Sequence, residues 1–271
     1  MSLGTIAFIG GGNMATSLIA GLIDDGVPPD AVWVTDVDEG RLATLQKRYE
    51  VRTTGDNAVA VSRAQTVVLA VKPQVMAEVV TGVAEAVRAS GPLIVSIAAG
   101  VTEAKIRAGL GFDAAIVRTM PNTPALVRTG ATALYANAST AAEQRARADA
   151  ILRAVGLTVW VEDESLIDAV TAVSGSGPAY YFLVMEAMEA AGIKLGLDPD
   201  TARKLTLQTA LGAARIALDG GEPPATLRKR VTSPGGTTQA AIESLQSAGL
   251  ERIFEQALTA ARDRSVELGR G

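Results

Sequence analysis

Apolar and polar positions divide the chain into two halves with different periodicities. In the first half, short segments that are apolar throughout alternate with segments whose apolar residues recur at helical spacing. Strands are predicted at residues 5–9, 31–35, 66–71, 93–97 and 114–119, with a further short strand near Val51. Strands without a polar face that alternate with helices indicate a parallel sheet covered on both sides.

The helices between these strands are predicted over residues 13–25, up to Tyr49, and onward from Pro73. Further strands at residues 131–135 and 157–161 flank a helix over residues 141–155. Residues 1–162 are therefore predicted to form a doubly wound α/β domain of the dinucleotide-binding, Rossmann type.

The strand pattern stops after Glu162. Long helices are predicted from Pro178 to Leu195 and from Asp198 to Leu218, followed by a short helix to Val231, a turn and two more helices. Residues 163–271 are therefore predicted to form an all-helical domain. Its many apolar positions favour a bundle that needs a partner subunit to be covered.

Composition excludes several classes of chemistry. The 271 residues contain no Cys and no His, so we predict no disulfide, thiol nucleophile, imidazole base or metal site of the usual ligand types. The net charge of −4 gives no overall positive electrostatic field that would attract nucleic acid. Mean hydropathy is +0.24, but no apolar run approaches the ~20 residues that span a bilayer. A cytoplasmic protein that contacts neither nucleic acid nor membrane is expected.

The first strand runs directly into Gly10-Gly11-Gly12-Asn13-Met14-Ala15, a G-x-G-x-x-A pattern at the start of a helix. Gly10 permits the tight turn, Gly12 lets a pyrophosphate approach the backbone, and Ala15 allows close helix packing. A glycine turn without a ligand is the alternative. The position between strand and helix favours dinucleotide binding, because the helix amino end attracts phosphate.

The choice of nicotinamide cofactor is open, with Asp36 favouring NAD. Asp36 ends the second strand, where a carboxylate accepts the ribose hydroxyls of NAD and repels the 2′-phosphate of NADP. Arg41 follows about one helical turn later. We interpret it as a solvated helix charge, with pairing to a 2′-phosphate as the alternative. Lys72, after the fourth strand, is a candidate for a ribose or phosphate contact or for an acid, with a loop lysine as the alternative. Residues 98–100 form a smooth wall for a nicotinamide ring.

The densest polar turn of the helical half is Ser233-Pro234-Gly235-Gly236-Thr237-Thr238. Its hydroxyls, and the backbone N–H groups of the helix that follows, form a cradle suited to a carboxylate. A capping turn is the alternative. The basic residues 228–230 just before it are interpreted as a solvated face.

Five segments together carry a resemblance to the Δ1-pyrroline-5-carboxylate reductase family across nearly the whole chain: residues 10–15, 70–74, 118–124, 174–180 and 231–238. The resemblance implies reduction of the cyclic imine Δ1-pyrroline-5-carboxylate to L-proline with NADPH or NADH, the last step of proline biosynthesis. It also implies self-association as a dimer with intertwined helical domains, often built into a larger ring.

The resemblance also implies roles for particular residues. Ser233, Gly236 and Thr237 would hold the substrate carboxylate, and Glu164 would lie in the substrate site. Thr238, the candidate catalytic residue, would hydrogen-bond the ring nitrogen. Many bacterial members carry an Asn-Arg pair where this chain has Asp36-Val37, which affects the preference for NADPH. The expected cofactor-binding residues are Ile9, Gly10, Gly11, Gly12, Asn13, Met14, Asp36, Asn57, Ala70, Val71, Lys72, Pro73, Ala98, Ala99 and Gly100.

This reaction suits a chain without His or Cys. A protonated imine is already an electrophile, so positioning supplies most of the catalysis. The alternatives are another imine reductase, a β-hydroxyacid reductase, or an NAD(P)-binding protein without turnover. A hydroxyacid enzyme would need a lysine such as Lys194, which we interpret as a helix-end charge. Tyr180 and Tyr181 are interpreted as packing residues, and Asn122 as a residue shaping a stiff loop, with a ligand contact as its alternative.

Overall fold

A computed structural model describes residues 3–270; the outer ends of the two predicted domains, residues 1–2 and 271, lie outside this range. The chain forms two compact units. The first runs up to Ser176 and resumes at Ala261, and the second comprises Gly177–Ala260.

An eight-stranded sheet forms the centre of the first unit, with strand order β3-β2-β1-β4-β5-β6-β7-β8. The strands are β1 (Ile6–Ile9), β2 (Val32–Thr35), β3 (Arg52–Thr54), β4 (Thr66–Leu69), β5 (Leu93–Ser96), β6 (Ile116–Met120), β7 (Gly130–Ala136) and β8 (Gly156–Trp160). The strands from β1 to β6 pair in parallel, as predicted. β7 runs antiparallel to β6, which the apolar pattern did not reveal, and pairs in parallel with β8.

Helices cover both faces of this sheet. They are α1 (Asn13–Asp24), α2 (Glu39–Tyr49), α3 (Asn57–Arg63), α4 (Met76–Ser90), α5 (Glu103–Leu110), α6 (Ala142–Arg153) and α7 (Leu166–Val170), which continues as a π-helical turn, Thr171–Gly175. Ile6 and Phe8 of β1 belong to the core on one face, and Ala7 and Ile9 to the core on the other. The strands lack a polar face because both faces are buried.

The second unit is helical, as predicted. It contains α8 (Gly177–Lys194), α9 (Pro199–Gly220), α10 (Pro224–Arg230), α11 (Thr237–Ser247) and the first part of α12 (Leu250–Arg270). Large apolar side chains lie in solvent, among them Leu183, Leu211 and Leu218, the last of them 76% exposed. So much exposed apolar surface is typical of an interface. Within residues 3–270, no helix is both long and apolar enough to span a membrane.

The division between the compact units differs from the predicted boundary after residue 162. α7 and its π-helical turn stay with the sheet, because α7 packs against β6 and β7. The end of α12 also returns to the first unit, where Ser265 Oγ donates to Asp168 Oδ1 over 2.6 Å. Helical periodicity alone does not show which neighbour a helix packs against.

Candidate functional site

The β1–α1 loop has the backbone geometry that its glycines predicted. Gly10 has φ of 102°, and a Cβ added there would lie 2.7 Å from the Ala70 carbonyl oxygen. A side chain is therefore excluded by both conformation and space. Gly12 is the N-cap of α1, no side chain caps this helix, and an added Cβ would meet no atom within 4 Å. The first amides of α1 thus face open space, as phosphate binding requires.

This loop forms one side of a cleft of about 1120 Å³. That volume is at the upper end for small-molecule sites, so it suits a dinucleotide. The carboxyl ends of β1, β2 and β4 supply much of its wall. Among the predicted cofactor residues, those that line it are Ile9, Gly10, Gly12, Asn13, Asp36, Asn57, Ala70, Val71 and Lys72.

The other predicted cofactor residues are not part of this cleft wall. Gly11 acts through its amide, which donates to Asp36 Oδ2 over 2.8 Å. Met14 packs against the core, and Pro73 opens a 3₁₀ turn, Pro73–Val75, before α4. Ala98, Ala99 and Gly100 follow β5, and Gly100 lies against Leu268 of α12.

Asp36 is the most constrained charge in the cleft. Its carboxylate accepts hydrogen bonds from the amide of Gly11, the amide of Asp38 (2.9 Å) and Arg41 Nη1 (2.9 Å). Burial raises the pKa of Asp36, but these hydrogen bonds and the Arg41 charge outweigh it, so the pKa lies below its ordinary value. The carboxylate is therefore ionised and already satisfied by the protein.

The sequence suggested that Arg41 is a solvated helix charge, but the structure gives it specific contacts. It is half-exposed, its guanidinium is paired with Asp36, and it lines the cleft. The backbone brings the two together because the side chain of Asp38 caps α2 by accepting the Arg41 amide over 3.0 Å. The pair therefore presents a positive group beside the carboxylate at the end of β2.

Asn57 lines the same cleft, at the start of α3. Thr35 Oγ1 donates to its Oδ1 over 2.6 Å, and Asp56 caps the helix. The Asn57 amide is thus oriented by β2. The helix itself was not predicted, since its seven residues give too short a pattern.

A second polar cluster lies where the middle of β6 passes the end of β5. Glu164, the predicted substrate residue, accepts the amide of Glu103 (2.7 Å) and Arg118 Nη1 (2.9 Å), both on Oε1. Thr102 caps α5 through the Lys105 amide. Glu164 is thereby joined to the start of α5, directly after the loop of residues 98–100.

Arg118 was not singled out from the sequence, although it lies in one of the quoted segments. Its side chain is 4% exposed, and it stands in a strand that is otherwise apolar up to that point. That interruption of a buried strand was the available signal. Tyr135 is its cross-strand partner. Burial and then the charges of Glu164 and Glu103 raise the pKa of Tyr135, so its hydroxyl stays protonated at neutral pH.

Asn122 has a structural role. Its Nδ2 donates to the Ser174 carbonyl over 3.0 Å, and its Oδ1 accepts the Ala131 amide over 2.8 Å. The side chain therefore ties the loop after β6 to the start of β7 and to the π-helical turn. Lys194 lies in the last turn of α8, as its interpretation as a helix-end charge required.

The polar turn of the second unit resembles the β1–α1 loop in one respect. Gly236 is the N-cap of α11, and no side chain caps that helix. Gly235 has φ of 70°, and its amide donates to Gln239 Oε1 over 2.6 Å. Ser233 and Thr237 are exposed and Thr238 is half-buried. The turn thus offers amides and hydroxyls to an anion.

Two family models match the chain. The model described as "Pyrroline-5-carboxylate reductase dimerisation" matches residues 164–268. The model described as "NADP oxidoreductase coenzyme F420-dependent" matches residues 5–100. The first covers the exposed helices, and the second contains the glycine loop and most of the cleft.

Relatives and solved structures match over nearly the full chain. A pyrroline-5-carboxylate reductase of Pseudomonas aeruginosa is 54% identical, over 99% of this chain and 98% of its own length. One of Haemophilus influenzae is 45% identical, over 97% of both. The structure of a pyrroline-5-carboxylate reductase from Coxiella burnetii matches with a TM-score of 0.95 and 46% identity, over 98% of both chains. A Plasmodium falciparum pyrroline carboxylate reductase with NADP bound matches with a TM-score of 0.86 and 26% identity, over 99% of both.

Proposed function

The chain belongs to the pyrroline-5-carboxylate reductase family, and from this membership we propose how its residues reduce Δ1-pyrroline-5-carboxylate to L-proline with NADPH or NADH. The observation that carries the proposal is similarity to reductases of this family over both halves of the chain, which hold the cleft and the polar turn. Each half begins a helix after a glycine N-cap without a capping side chain.

The cofactor is proposed to lie in the cleft of the first unit. The free amides at the start of α1 hold the pyrophosphate, and Lys72 adds positive charge. Asn57 and the Asp36–Arg41 pair hold the adenosine ribose. When bound, NAD(P)H supplies the hydride. The wall of Ala98, Ala99 and Gly100 carries no reactive side chain, which suits contact with the nicotinamide ring.

The substrate is proposed to be held by the turn at residues 233–238. The amide of Thr237, the backbone of Gly236 and the hydroxyl of Ser233 bind its carboxylate. Thr238 is proposed to orient the ring nitrogen. Glu164, in the first unit, is proposed as a further substrate-binding residue. The substrate imine is protonated, so reduction at carbon neutralises charge and creates no oxyanion. Orientation of the ring then replaces a strong general acid.

Self-association follows from the dimerisation model that matches residues 164–268 and from the exposed apolar helices. We propose a dimer through these helices, with a larger ring as a further step. A cytoplasmic location and the lack of a nucleic-acid partner are also proposed, the latter from the net charge of −4.

The test is a steady-state assay with Δ1-pyrroline-5-carboxylate and each reduced cofactor. Thr238→Ala is expected to lower kcat/KM at least about tenfold while cofactor affinity stays within about twofold, because an orienting hydrogen bond to the reacting ring is lost. Thr232→Ala is the matched control, since the Thr232 hydroxyl donates to the Arg228 carbonyl of its own helix end over 2.6 Å.

Unchanged kcat/KM in Thr238→Ala would remove Thr238 from the mechanism. Reduction of a β-hydroxyacid substrate without turnover of the cyclic imine would favour the hydroxyacid alternative. Tight cofactor binding without oxidation of NADH or NADPH on any cyclic imine would favour a non-catalytic binding protein.

A further inference from the structure

We propose that Arg118 is a positioning residue for the reaction, acting through Glu164. The inference rests on the proposed function, in which Glu164 lies in the substrate site. It concerns the ion pair between the buried Arg118 of β6 and the half-buried Glu164 before α7.

The first step is the orientation of the Glu164 carboxylate. Arg118 Nη1 (2.9 Å) and the Glu103 amide (2.7 Å) both donate to the same oxygen, Oε1. Among the residues that the structure describes, Oε2 accepts no hydrogen bond, and the side chain is 24% exposed. One oxygen is therefore fixed by the protein, and the other is left as an acceptor.

Burying Arg118 costs folding free energy. The Arg118 side chain is 4% exposed, and within residues 3–270 its buried Nε has no hydrogen-bond partner. Burying a guanidinium and leaving a donor unpaired both oppose folding, and an apolar residue of similar size would fill the same space without that cost. Stability alone therefore does not explain an arginine here.

Arg118 lies next to the end of β5. Arg118 is the register partner of Ser96, the last residue of β5, and the Thr119 hydroxyl donates to the Ser96 carbonyl over 3.0 Å. The Glu103 amide that shares Oε1 belongs to the first turn of α5. The ion pair thus lies beside the end of β5, and the predicted nicotinamide wall at residues 98–100 follows that strand.

Arg118 also sets the charge that Glu164 presents to the substrate. The substrate carries a carboxylate, which a lone Glu164 would repel. The positive charge of Arg118 cancels the negative charge of Glu164. The free Oε2 can still accept a hydrogen bond from an N–H of the ring nitrogen. Hydride addition to the protonated imine gives an amine with one N–H bond, and a proton from solvent gives an ammonium with two, so an N–H is available to Glu164. Arg118 therefore makes Glu164 an acceptor that tolerates an anionic ligand.

The test is a double-mutant cycle of Arg118→Met and Glu164→Gln, read as KM for Δ1-pyrroline-5-carboxylate, kcat, and the Kd of NADPH by fluorescence titration. Arg118→Met is expected to raise KM at least about tenfold, with kcat changed less and the Kd of NADPH within about twofold. In the Glu164→Gln background the same change is expected to shift KM less than about twofold, because the effect passes through Glu164.

Two further variants separate positioning from folding. Arg118→Lys keeps a charged donor and is expected to restore most of the loss in KM. Arg147→Met is the matched control. The Arg147 side chain is also largely buried, at 14% exposure, and it pairs with Glu143. It lies at the other end of the sheet, near the start of β4. Should Arg118→Met not fold, Arg118→Gln takes its place in the cycle.

Equal shifts in KM with and without the Glu164→Gln change would overturn the inference, as would a normal KM in folded Arg118→Met. Loss of NADPH binding together with substrate binding would also overturn it, because it would indicate general damage to the unit. A wild-type protein that binds NADPH and does not reduce Δ1-pyrroline-5-carboxylate would instead overturn the proposed function itself.

Discussion

Replacing Arg41 by alanine is expected to change the affinity for NADPH and leave the affinity for NADH nearly unchanged. Arg41 pairs with Asp36 at 2.9 Å on the cleft wall, where the adenosine ribose is proposed to bind. NADPH carries a 2′-phosphate at that ribose, and NADH does not. Without the guanidinium, the phosphate would face the ionised carboxylate of Asp36 alone. Arg41→Ala is therefore expected to weaken NADPH binding selectively.

The magnitude follows from the exposure of the pair. A hydrogen bond between charged groups stabilises a complex by about 1.5–3 kcal/mol. The Arg41 side chain is 45% exposed, so solvent and salt screen much of that energy. We therefore expect a loss at the lower limit, about 1.4 kcal/mol, which is a tenfold rise in the Kd of NADPH. NADH is expected to change less than about twofold, because Asp36 keeps two backbone donors.

The assay is a fluorescence titration of the reduced cofactors at low and high ionic strength. The selective loss is expected to shrink as salt rises, since the lost contact is electrostatic. Arg48→Ala is the matched control on the same helix, because Arg48 lies over the ring of Tyr49 and is not part of the cleft wall. An equal loss for both cofactors, or no loss for either, would refute the reasoning.

Two further predictions concern the glycine loop and a carboxylate of α6. Gly12→Ala is expected to change the free energy of unfolding by less than about 0.5 kcal/mol while weakening cofactor binding, because the added methyl group meets only the space proposed for the pyrophosphate. Gly10→Ala is expected to cost about 1–3 kcal/mol of stability as well, because of its positive φ. Asp149→Asn is expected to lower stability at pH 7 by about 1 kcal/mol. Urea unfolding and cofactor titration measure these changes.

The Asp149→Asn effect has a defined pH dependence. Burial raises the pKa of Asp149, but hydrogen bonds from Arg153 and Thr158 outweigh it and hold the pKa below its ordinary value of 3.8. The unfolded state therefore binds the proton first as the pH falls, and the stabilisation is present above about pH 4 and lost below it. A stability difference between the two proteins that persists unchanged at pH 3 would contradict this account.

Local patterns were enough to predict much of the fold. The strands from β1 to β6 and the long helices followed from apolar runs and capping residues, because each signal lies within a few neighbouring positions. The reverse direction of β7 did not, since a buried strand has the same pattern in either direction. The short helices α3 and α5 also escaped prediction, as they span too few turns for a period to emerge.

The sequence by itself determined two helix starts without a capping side chain, because a glycine before a helix can be read from consecutive residues at both Gly12 and Gly236. Only the tertiary structure decided what surrounds them. Arg118 meets Glu164 because the chain after β8 folds back past β7 onto β6, and no local spacing encodes that contact. The same holds for Asp36 and the Gly11 amide, which come from different strand ends. Side chains distant in sequence acquire their charge partners only when the sheet brings its strand ends together.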